Sequence, residues 1–598
     1  MNIKSLLINN FQYFFYFYRI LKYRIFISFF LSICVGVLDG FGLAMFIPLL
    51  EMSGDGTDGE KGESLGNLSF LPEFLESIGI NLNITNALII ILVFFVLKGV
   101  AKFIEGYVRV VYQQYFMKHI RYGNIDNLNN YSFKNFVKSD VGKIQNTFSG
   151  EVGRVNMTYK SYFQAAQYGV LVLVYVTFAF ASNAQFALMV SIGGVLTNFI
   201  FRTLYKRTKS YSNKLTKNWH NFQGLLIQHV SFFKYLKATG LNYFYGEKLK
   251  SSINNIEGDQ RKLGVIDSLL RALREPLTML VVVFVILIQV KFFDTKIGLI
   301  ILSLLFLYRA LTFLMALQEN WNRFLEYSGS MDNLSEFTKE LKSGFEKNGD
   351  IKFGRFNNKI ELKNITFHYD DLKVIDGLNI SFKKNETIAI IGESGSGKST
   401  LLNILSGLFL PSKGEIFIDD QNIKKLDLYS YRNRIGYITQ EAPIFSDTVF
   451  NNVTFWDEKN SENFQKFQIA IRQASIFDFV SELKNKEDEY LGNNGINISG
   501  GQKQRLSIAR ELYKDVDFLF MDEATSALDG ETEKAIQKNI DQLQGKYTIF
   551  IIAHRLSTIR NADRIIVLKN GKIDSEGKYE DLLDTSTTFQ EMIKLQKM

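Results

Sequence analysis

A glycine-rich turn between Ile391 and Lys398 carries residue types that can bind a nucleotide phosphate. The largely β-branched run from Ile388 to Ile391 predicts a buried strand, and a helix-like segment starts at Ser399. A strand, the loop G-x-x-x-x-G-K-S and a helix in this order let backbone N–H groups and a helix N-terminus surround a phosphate. We expect Lys398 to reach the β- and γ-phosphates and the Ser399 hydroxyl to ligate Mg²⁺. A plain glycine-rich turn at a helix start is the alternative.

A second set of candidate residues follows an apolar strand, Phe518–Met521, which ends in Asp522 and Glu523. Phosphoryl transfer needs charge neutralised on the phosphate oxygens, a metal ion and an oriented water. Lys398 supplies the first, Asp522 together with Ser399 can hold the metal, and Glu523 can polarise the attacking water. A purely structural carboxylate at Glu523 is the alternative, and its position directly after Asp522 disfavours it.

Further segments occur in the order of the ATP-binding cassette (ABC) family, which the soluble part of the chain resembles. Phe-His-Tyr369 precedes the phosphate loop, and Ile438-Thr-Gln440 follows it. Ile498-Ser-Gly-Gly-Gln502 resembles the signature motif, with isoleucine where the family more often has leucine. Ser526-Ala-Leu-Asp529 resembles the loop that crosses the family's dimer interface, and Ile552-Ala-His554 resembles its switch segment.

The resemblance implies a role for each of these segments, with ATP and Mg²⁺ as cofactors. Tyr369 would stack on adenine, the Gln440 amide would sense Mg²⁺ and the γ-phosphate, and His554 would contact the γ-phosphate. The implied catalytic residues are Glu523, His554 and Gln440, and the implied metal-binding residues are Ser399, Gln440 and Asp522. The implied nucleotide-binding residues are Tyr369, Gly392, Glu393, Ser394, Gly395, Ser396, Gly397, Lys398, Ser399, Thr400, Ser499, Gly500, Gly501 and Gln502.

The chain contains one phosphate loop and one signature motif. In the family each nucleotide lies between the phosphate loop of one cassette and the signature of another, so the resemblance implies a half-transporter that must pair. A homodimer with two equivalent sites is the simplest outcome, and a heterodimer remains open. One departure concerns Gly492-Asn-Asn-Gly495, where family exporters usually carry an acidic residue that touches the membrane domain. Asn493 keeps hydrogen bonding there but loses the charge.

The elements that must position these residues fall into two parts. The 598-residue chain is 46% hydrophobic and holds 53 phenylalanines, but its long apolar runs lie in residues 1–325. We therefore predict a multidomain protein. An all-α transmembrane domain with six spans covers 1–325, a charged and serine-rich linker covers 326–350, and an α/β P-loop nucleotide-binding domain covers 351–598. A single cysteine and five scattered histidines predict neither a disulfide framework nor a metal cluster.

The predicted spans are six apolar stretches, each near the ~20 residues that cross a bilayer. They cover about 25–50, 86–110, 160–182, 185–206, 272–293 and 297–318. Lysine and arginine concentrate at the N-terminus and in 117–160 and 206–271, whereas the connection 52–85 is acidic. By the positive-inside rule both termini are cytoplasmic, which predicts a multi-pass protein of the bacterial inner or plasma membrane.

The two long cytoplasmic connections contain polar helical sequence, so we expect their helices to continue beyond the membrane. Segments near Phe133-Lys-Asn-Phe136 and Gly240–Tyr245 fall where exporters of this family place their coupling helices. Outside, apolar residues between Phe70 and Ile78 recur at helical spacing. This pattern predicts a short amphipathic helix that lies on the outer leaflet or caps the spans.

Charged residues inside the spans give a clue to the substrate. Lys98, Lys102, Glu105 and Arg109 fall at i, i+4, i+7 and i+11 on one face of the second span, and Arg309 lies in the sixth. Each charge at the bilayer centre costs ~2.5–3.5 kcal/mol, so we expect the stripe to face a water-filled cavity that favours an anionic, amphipathic substrate such as a pyrophosphate-linked lipid. Local neutralisation between Lys102 and Glu105, or snorkelling of Arg109, is the alternative.

The chain looks similar to ATP-driven flippases of lipid-linked oligosaccharides, translocases that act on a membrane lipid. A multidrug, general lipid or peptide exporter of the same architecture is the alternative. Cassette ATPases that act on nucleic acid lack membrane spans, so we expect no nucleic-acid partner. Importers of the superfamily usually carry the cassette on a separate chain, which disfavours that class as well.

Overall fold

The computed structural model describes residues 3–46, 49, 70–77, 79, 83–182, 184–292, 297–522, 530–553 and 559–597. The chain forms two compact units. The first, which we call the membrane unit, comprises Met1–Tyr131 and Lys138–Phe345. The second, the ATPase unit, comprises Ser132–Val137 and Glu346–Met598. A helical membrane region followed by an α/β ATPase domain is the predicted fold class, and it is confirmed.

The membrane unit contains helices only, apart from an isolated bridge between Tyr131 and Phe345, within its described residues. Its helices are α1 (Ile3–Leu21), α2 (Arg24–Ala44), α3 (Phe70–Ser77), α4 (Ile84–Asn129), α6 (Val141–Asn146), a π-helical turn (Thr147–Glu151), α7 (Val152–Ser182), α8 (Ala184–Ser231), α9 (Phe233–Ala238), α10 (Asn242–Phe292) and α11 (Ile297–Ser343). The short helix between α4 and α6, α5 (Phe133–Lys138), falls almost entirely in the segment of the ATPase unit. The six predicted spans overlap α2, α4, α7, α8, α10 and α11 in turn. The first span extends past Ala44, where α2 ends, and its residues 47, 48 and 50, like residue 293 of the fifth span, lie outside the described residues. In the described part of the chain, three helical stretches are long and apolar enough to cross a membrane: Arg24–Ala44, Ile84–Asn129 and Val141–Ser182.

Four helices of the membrane unit are much longer than a bilayer requires. Helices α4, α8, α10 and α11 contain 46, 48, 51 and 47 residues. At ~1.5 Å per residue each is about 70 Å long, whereas the hydrocarbon core is only ~30 Å thick. The helices therefore extend well beyond the apolar stretches, as the polar helical sequence of the long connections predicted.

The stretch predicted as a linker, residues 326–350, differs in the structure because α11 continues through it as far as Ser343. Apolar side chains at helical spacing explain the difference. Met331 and Leu334 are buried in one apolar cluster of the membrane unit, and Phe337 and Leu341 are buried in another. Most of the remaining positions of these turns are polar. The composition of the segment therefore resembles that of a linker, although its apolar residues form one buried stripe.

Residues 132–137, near the first predicted coupling helix, belong to the ATPase unit. The Phe133 ring stacks on Phe409 with ring centroids 5.6 Å apart, and the Lys134 ammonium lies 5.2 Å from the centre of the Phe367 ring.

The ATPase unit is built on a six-stranded sheet in the order β12-β11-β4-β10-β9-β8. The strands of the unit are β1 (Ile351–Lys352), β2 (Lys359–Tyr369), β3 (Leu372–Lys383), β4 (Thr387–Gly392), β5 (Lys413–Ile418), β6 (Gln421–Asn422), β7 (Leu426–Asp427), β8 (Ile435–Ile438), β9 (Phe518–Asp522), β10 (Thr548–Ile552), β11 (Arg564–Lys569) and β12 (Lys572–Gly577). Its helices are α12 (Lys398–Leu405), α13 (Leu428–Arg432), α14 (Val449–Thr454), α15 (Ser461–Gln473), α16 (Phe477–Glu482), α17 (Gly500–Tyr513), α18 (Gly530–Leu543), α19 (Tyr579–Thr585) and α20 (Thr587–Lys597).

Within the six-stranded sheet only β12 runs antiparallel to its neighbour. The parallel strands are almost continuous apolar runs because both faces of such a sheet are covered. A second, antiparallel sheet in the order β3-β2-β5-β6 packs on one side through a shared buried apolar cluster. The opposite face of the central strands packs against α14, α15 and α17 through another cluster.

Candidate functional site: the carboxyl edge of the parallel sheet

The register of the parallel strands brings the ends of four of them to one edge. Ile552 at the end of β10 is paired with Ile390 of β4 on one side and with Asp522 of β9 on the other. Met521 of β9 is paired with Ile438 at the end of β8. The loops that follow β4, β8, β9 and β10 therefore leave the sheet side by side. Ligands of open α/β sheets bind at such a carboxyl edge.

The phosphate loop connects β4 to α12 and has the shape of an anion cradle. Gly395 and Gly397 have φ values of +82° and +105°, in the left-handed region that favours glycine. A Cβ at Gly397 would lie 2.8 Å from the Ile375 Cδ1 atom. Gly397 is also the N-cap of α12 and provides no side-chain cap, so the first-turn N–H groups of the helix remain free of a capping side chain. These groups and the positive helix end suit a phosphate.

Lys398 lies inside this loop. Its side chain is buried, and its ammonium donates hydrogen bonds to the carbonyl oxygens of Gly392 and Glu393, both at 2.9 Å. The following Ser399 is exposed, whereas Thr400 is buried on the other side of the helix. The loop thus holds a cation at its centre and presents a hydroxyl at its mouth. The loop residues Gly392, Glu393, Ser394, Gly395, Ser396, Gly397, Lys398, Ser399 and Thr400 lie together as the motif predicted.

Asp522 and Gln440 lie at the ends of neighbouring strands. Asp522 ends β9, and Gln440 lies two residues beyond Ile438 at the end of β8 with its side chain exposed. Glu523 directly follows Asp522, and His554 lies two residues beyond Ile552. Both lie outside the described residues, as does the predicted interface loop at 526–529.

A hydroxyl, a carboxylate and an amide oxygen are therefore available at one edge, from Ser399, Asp522 and Gln440. These are the oxygen ligands that Mg²⁺ prefers. A protein site for Mg²⁺ commonly uses one or two carboxylates and completes the shell with water and substrate phosphates. The donor set fits that ion, and the oxygens of phosphates bound in the cradle beside it, with water, would supply the remaining ligands.

Tyr437 is a residue of this edge that the sequence did not single out. Its hydroxyl donates to the Asn403 side chain of α12 at 3.2 Å. Burial raises the pKa of Tyr437, and the negative charge of Asp522 raises it further. The tyrosine therefore joins the strand before Gln440 to the helix after the phosphate loop. An aromatic residue in an apolar strand is typical of the hydrophobic core, so no pattern in the sequence indicates the contact between Tyr437 and Asn403.

Tyr369, the predicted adenine-stacking residue, lies at the end of β2 in an aromatic cluster. Its ring packs edge-on against Phe367 and Phe409, with ring centroids 5.1 and 5.6 Å apart. Burial raises the pKa of Tyr369, and a hydrogen bond with Thr400 acts in the opposite direction. That contact places the Tyr369 hydroxyl beside the helix that follows the phosphate loop. Phe409 supports the ring from a part of the chain whose apolar sequence predicts only core.

The signature motif occupies a different place in the ATPase unit. Ser499 is the N-cap of α17, and it forms a capping box in which Gln502 N donates to Ser499 Oγ and Ser499 N donates to Gln502 Oε1. Ser499 and Gly500 are exposed, and Gly501 and Gln502 are partly so. Helix α17 packs on α14, α15 and β8, whereas α12 packs on β3, β4, β9 and β10. The signature residues are therefore a separate surface from the phosphate loop.

The charge stripe of α4 is bound to other helices of the membrane unit. The Lys98 ammonium lies 2.5 Å from the carboxylate of Asp39 on α2, whose other oxygen accepts a hydrogen bond from Tyr175 on α7. Ser32 of α2 donates to Glu105 at 2.5 Å. Two side chains of α2, Asp39 and Ser32, thus meet side chains that the sequence placed on one face of α4.

The remaining stripe residues fall into two groups. Arg109 donates to the Gln167 side chain at 3.1 Å, whereas Lys102 is exposed. Arg309 of α11 is near enough to Tyr175 for its positive charge to act on the tyrosine hydroxyl. Asp39, which organises this network, is 3% exposed and lies alone in an apolar run. The counter-ion of Lys98 and the polar partners of Glu105 and Arg109 therefore come from other helices, which spacing along α4 could not indicate.

Comparison with known proteins identifies these two parts. Residues 375–526 match the ABC transporter family, and residues 25–316 match the ABC transporter transmembrane region. The structure is similar to a solved bacterial Atm1-family ABC exporter with ATP bound, with a TM-score of 0.77 over 97% of this chain and 99% of that one. At 20% sequence identity this likeness concerns the fold. The protein is thus of the class in which a helical ABC membrane region and an ABC ATPase domain occur in one chain.

Curated relatives extend the match along the chain. An ATP-dependent lipid A-core flippase of Photorhabdus laumondii is 30% identical over 69% of this chain and 71% of its own length. The protein of that name from Ralstonia nicotianae is 28% identical over 84% of this chain and 86% of its own length. With the flippase of Syntrophus aciditrophicus the identity is 41%, but the match spans only 41% of each chain. The chain belongs to the ABC transporter family.

Proposed function

We propose that the protein uses ATP to flip a lipid-linked saccharide, or another amphipathic lipid, across the bacterial inner membrane. The observation that carries the proposal is the union, in one chain, of a phosphate cradle at a sheet edge and a membrane unit with a buried ionic network. The names of several relatives, ATP-dependent lipid A-core flippases, favour a lipid over a drug or a peptide. In this proposal residues 351–598 perform the ATPase chemistry and residues 1–325 form the transport path, with both termini in the cytoplasm.

The chemistry assigned to the ATPase unit is hydrolysis of the γ-phosphate. The first-turn N–H groups of α12 and Lys398 would hold the phosphates, and Tyr369 would stack on adenine. Ser399, Asp522 and Gln440 would hold Mg²⁺, which when bound neutralises charge on the β- and γ-oxygens. Glu523 would orient the attacking water and His554 would contact the γ-phosphate, since they lie one and two residues beyond strands that end at this edge.

Two copies of the chain would form the working unit. The signature residues lie on a surface separate from the phosphate loop, so a second copy would supply them to complete each site. Exposed aromatic side chains on the membrane unit offer apolar surface for such a partner. Four of them lie close together in the chain, on α9 and at the start of α10: Phe233, Tyr235, Tyr243 and Phe244. A homodimer would contain two equivalent sites.

The substrate proposed for the membrane unit carries an anionic group. Lys98 and Arg309 would attract it. The carboxylate of Asp39, at 2.5 Å from Lys98, would then compete with the incoming anion for the ammonium. Charge-assisted hydrogen bonds to a pyrophosphate are worth ~1.5–3 kcal/mol each. One such bond is enough for the anion to replace one exposed contact within the protein. It is not enough to replace a whole buried network of contacts.

The test is transport by the full-length protein in proteoliposomes. A lipid-linked saccharide with a pyrophosphate, the same lipid without the saccharide, a hydrophobic drug and a peptide are offered in parallel with ATP and Mg²⁺. We expect ATP-dependent movement and stimulated ATPase only with the first or second. Stimulation by the drug or peptide alone would contradict the lipid assignment.

The charged residues are tested in the same assay. Lys98→Gln with Arg309→Gln should spare basal ATPase, because that chemistry lies in the other unit, and depress transport of the anionic lipid. Arg109→Gln serves as the control, since Arg109 contacts the neutral Gln167. Normal transport by the folded double variant would remove the anionic site from the proposal.

The pairing of chains is tested with a purified mixed dimer. One chain carries Lys398→Ala and the other carries Ser499→Arg. If sites are shared between copies, both lesions fall in one site and the other site stays intact, so about half of the ATPase activity should remain. A mixed dimer with no residual activity would contradict shared sites.

A further inference from the structure

Helix α17, which begins at the signature serine, also contacts the segment that carries Gln440. We call residues 437–443 the glutamine segment. The backbone N–H of Tyr437 donates to the Glu511 carboxylate at 3.4 Å, and the Gln504 side chain donates to the carbonyl of Thr439 at 3.4 Å. On the other side of Gln440, Arg510 donates to the carbonyl of Pro443 at 2.8 Å. One helix therefore brackets Gln440 from both sides.

Arg510 makes the strongest of these contacts. The residue is 2% exposed, and all three of its guanidinium nitrogens donate hydrogen bonds. Its Nε donates to the Asn452 carbonyl at 2.6 Å and one terminal nitrogen donates to the Asn452 Oδ1 atom at 3.1 Å. The Asn452 side chain in turn pairs with both backbone groups of Phe445, at 2.8 and 2.9 Å.

The burial of this charge requires an explanation. A buried guanidinium is costly unless its hydrogen bonds are satisfied, and a fully satisfied polar network fixes one arrangement of the groups that it joins. The groups joined here are the backbone at 443–445, just past Gln440, and α17 itself. Burial of a cation at this position therefore serves to fix the path of the glutamine segment.

We propose that Arg510 is a positioning residue for Gln440, with Gln504 as its second contact. Gln440 provides an oxygen for Mg²⁺ in its own chain's site, a role that rests on the proposed function. Ser499, at the start of the same helix, faces the nucleotide of the partner's site. A shift of α17 when the signature engages one nucleotide therefore moves Gln440 in the other site. The two sites of a dimer are coupled through one helix in each copy.

The test measures basal ATPase of the full-length protein as a function of Mg²⁺, together with ATP binding in the absence of Mg²⁺. Arg510→Met keeps an unbranched chain as long as the arginine side chain up to its Nε atom and removes the guanidinium donors. We expect kcat to fall about tenfold. This is the loss of rate expected when a metal-binding group is misplaced and the cost is about that of one hydrogen bond. The Mg²⁺ concentration at half-maximal rate should rise, while ATP binding without Mg²⁺ stays at the wild-type value.

Arg432→Met is the matched control. Arg432 also makes several hydrogen bonds in the ATPase unit, to Glu346 at 2.7 and 2.5 Å and to the Gly407 carbonyl at 2.5 Å, but none of these partners lies in the glutamine segment. Its loss should lower the thermal midpoint and leave the Mg²⁺ dependence unchanged. This readout separates positioning from a general loss of stability.

Two results would overturn the proposal. One is a wild-type kcat and Mg²⁺ dependence in Arg510→Met. The other is a parallel loss of Mg²⁺-free ATP binding, which would mean that Arg510 holds the whole domain. If Arg510→Met does not fold, Gln504→Met decides, because it removes one hydrogen bond and must shift the Mg²⁺ dependence in the same direction. Basal ATPase needs no transported lipid, so failure of lipid flipping leaves this test intact.

Discussion

The two units of this protein use polar side chains in opposite ways. In the ATPase unit the groups assigned to chemistry, such as Ser399, Gln440 and Ser499, are exposed at loop or helix starts. In the membrane unit Asp39 is turned inward and is bound by both Lys98 and Tyr175. The first arrangement leaves donors and acceptors for a ligand, and the second satisfies them within the protein.

This difference separates activity from stability. An exposed group at a sheet edge contributes little to folding, so its removal should change turnover first. A buried charge whose partner is removed is left without compensation, and in soluble proteins this lowers the free energy of unfolding by about 3–5 kcal/mol. The same kind of substitution should therefore have a different primary effect in each unit.

The largest expected effect lies in the ATPase unit. Glu523→Gln should keep ATP binding and lower kcat by about a thousandfold, because the amide cannot polarise water while Lys398 and Mg²⁺ still hold the phosphates. ATPase rate and nucleotide affinity of the purified dimer check it, with thermal midpoint as the control for folding. Near-wild-type hydrolysis would contradict the role of Glu523.

The next effect concerns the stability of the membrane unit. Asp39→Asn should destabilise the protein by roughly 3 kcal/mol, because Lys98 loses its counter-ion in a site that remains buried. Lys98→Met added to Asp39→Asn should recover part of the loss, since no unpaired charge is left. Thermal unfolding of the two variants in the same detergent checks this. Equal stability of Asp39→Asn and wild type would break the contrast between the units.

Tyr369 should give a moderate effect on ATP affinity. Tyr369→Ala removes the ring that would stack on adenine and should raise the KM for ATP about tenfold, given that base–aromatic stacking is worth ~1–3 kcal/mol. Tyr369→Phe keeps the ring and its packing on Phe367 and Phe409, so its KM should stay close to wild type. The pair of KM values measured with ATP is the check. A similar rise in both variants would point to the hydroxyl beside Thr400.

The smallest effect is a pH dependence on the ATPase surface. Hydrogen bonds from Trp456, from the Asn451 side chain and from the backbone of Thr448 lower the pKa of Asp447. Such a group stabilises the fold above its unfolded pKa of ~3.9 and loses that contribution as the pH falls through its lower folded value. Trp456→Phe removes the indole donor at 2.6 Å.

Thermal midpoints of wild type and Trp456→Phe measured from pH 7 down to about pH 2 test this. The difference at pH 7 should be below about 1 kcal/mol, as for other exposed hydrogen-bonded charges, should persist to about pH 4, and should shrink as the pH falls further. A difference that grows toward acid pH would contradict the assignment. A large effect at pH 7 would show that surface carboxylates of the ATPase unit resemble the buried pair of the membrane unit.

The sequence predicted the ATPase unit in considerable detail. The phosphate loop, the strand that ends in Asp522 and the position of Gln440 all follow from short motifs, and the strand register brings them to one edge. Tyr437, Phe409 and Arg510 were not predicted, because each occurs in an apolar or helical pattern that is typical of ordinary core. Their contacts with the site come from residues far away in the chain.

In the membrane unit the sequence predicted helices but not their partners. Apolar stretches identified the positions of the long helices, and lysine and arginine placement gave a topology that remains a prediction. The spacing of Lys98, Glu105 and Arg109 predicted one helix face, and all three residues do lie in a single helix. It could not indicate that Ser32, Asp39 and Gln167 from α2 and α7 would meet that face.

What the sequence determined by itself is therefore the chemistry that local order encodes. A glycine loop before Lys398 and an acidic pair after an apolar strand offer the same chemistry in any compact fold, because the short backbone between neighbouring residues fixes their geometry. Only the tertiary structure decided which charges are neutralised, where the helix that leaves the membrane ends, and which helix holds Gln440. Those outcomes depend on contacts between distant segments, whose energies are set by packing and burial rather than by spacing along the chain.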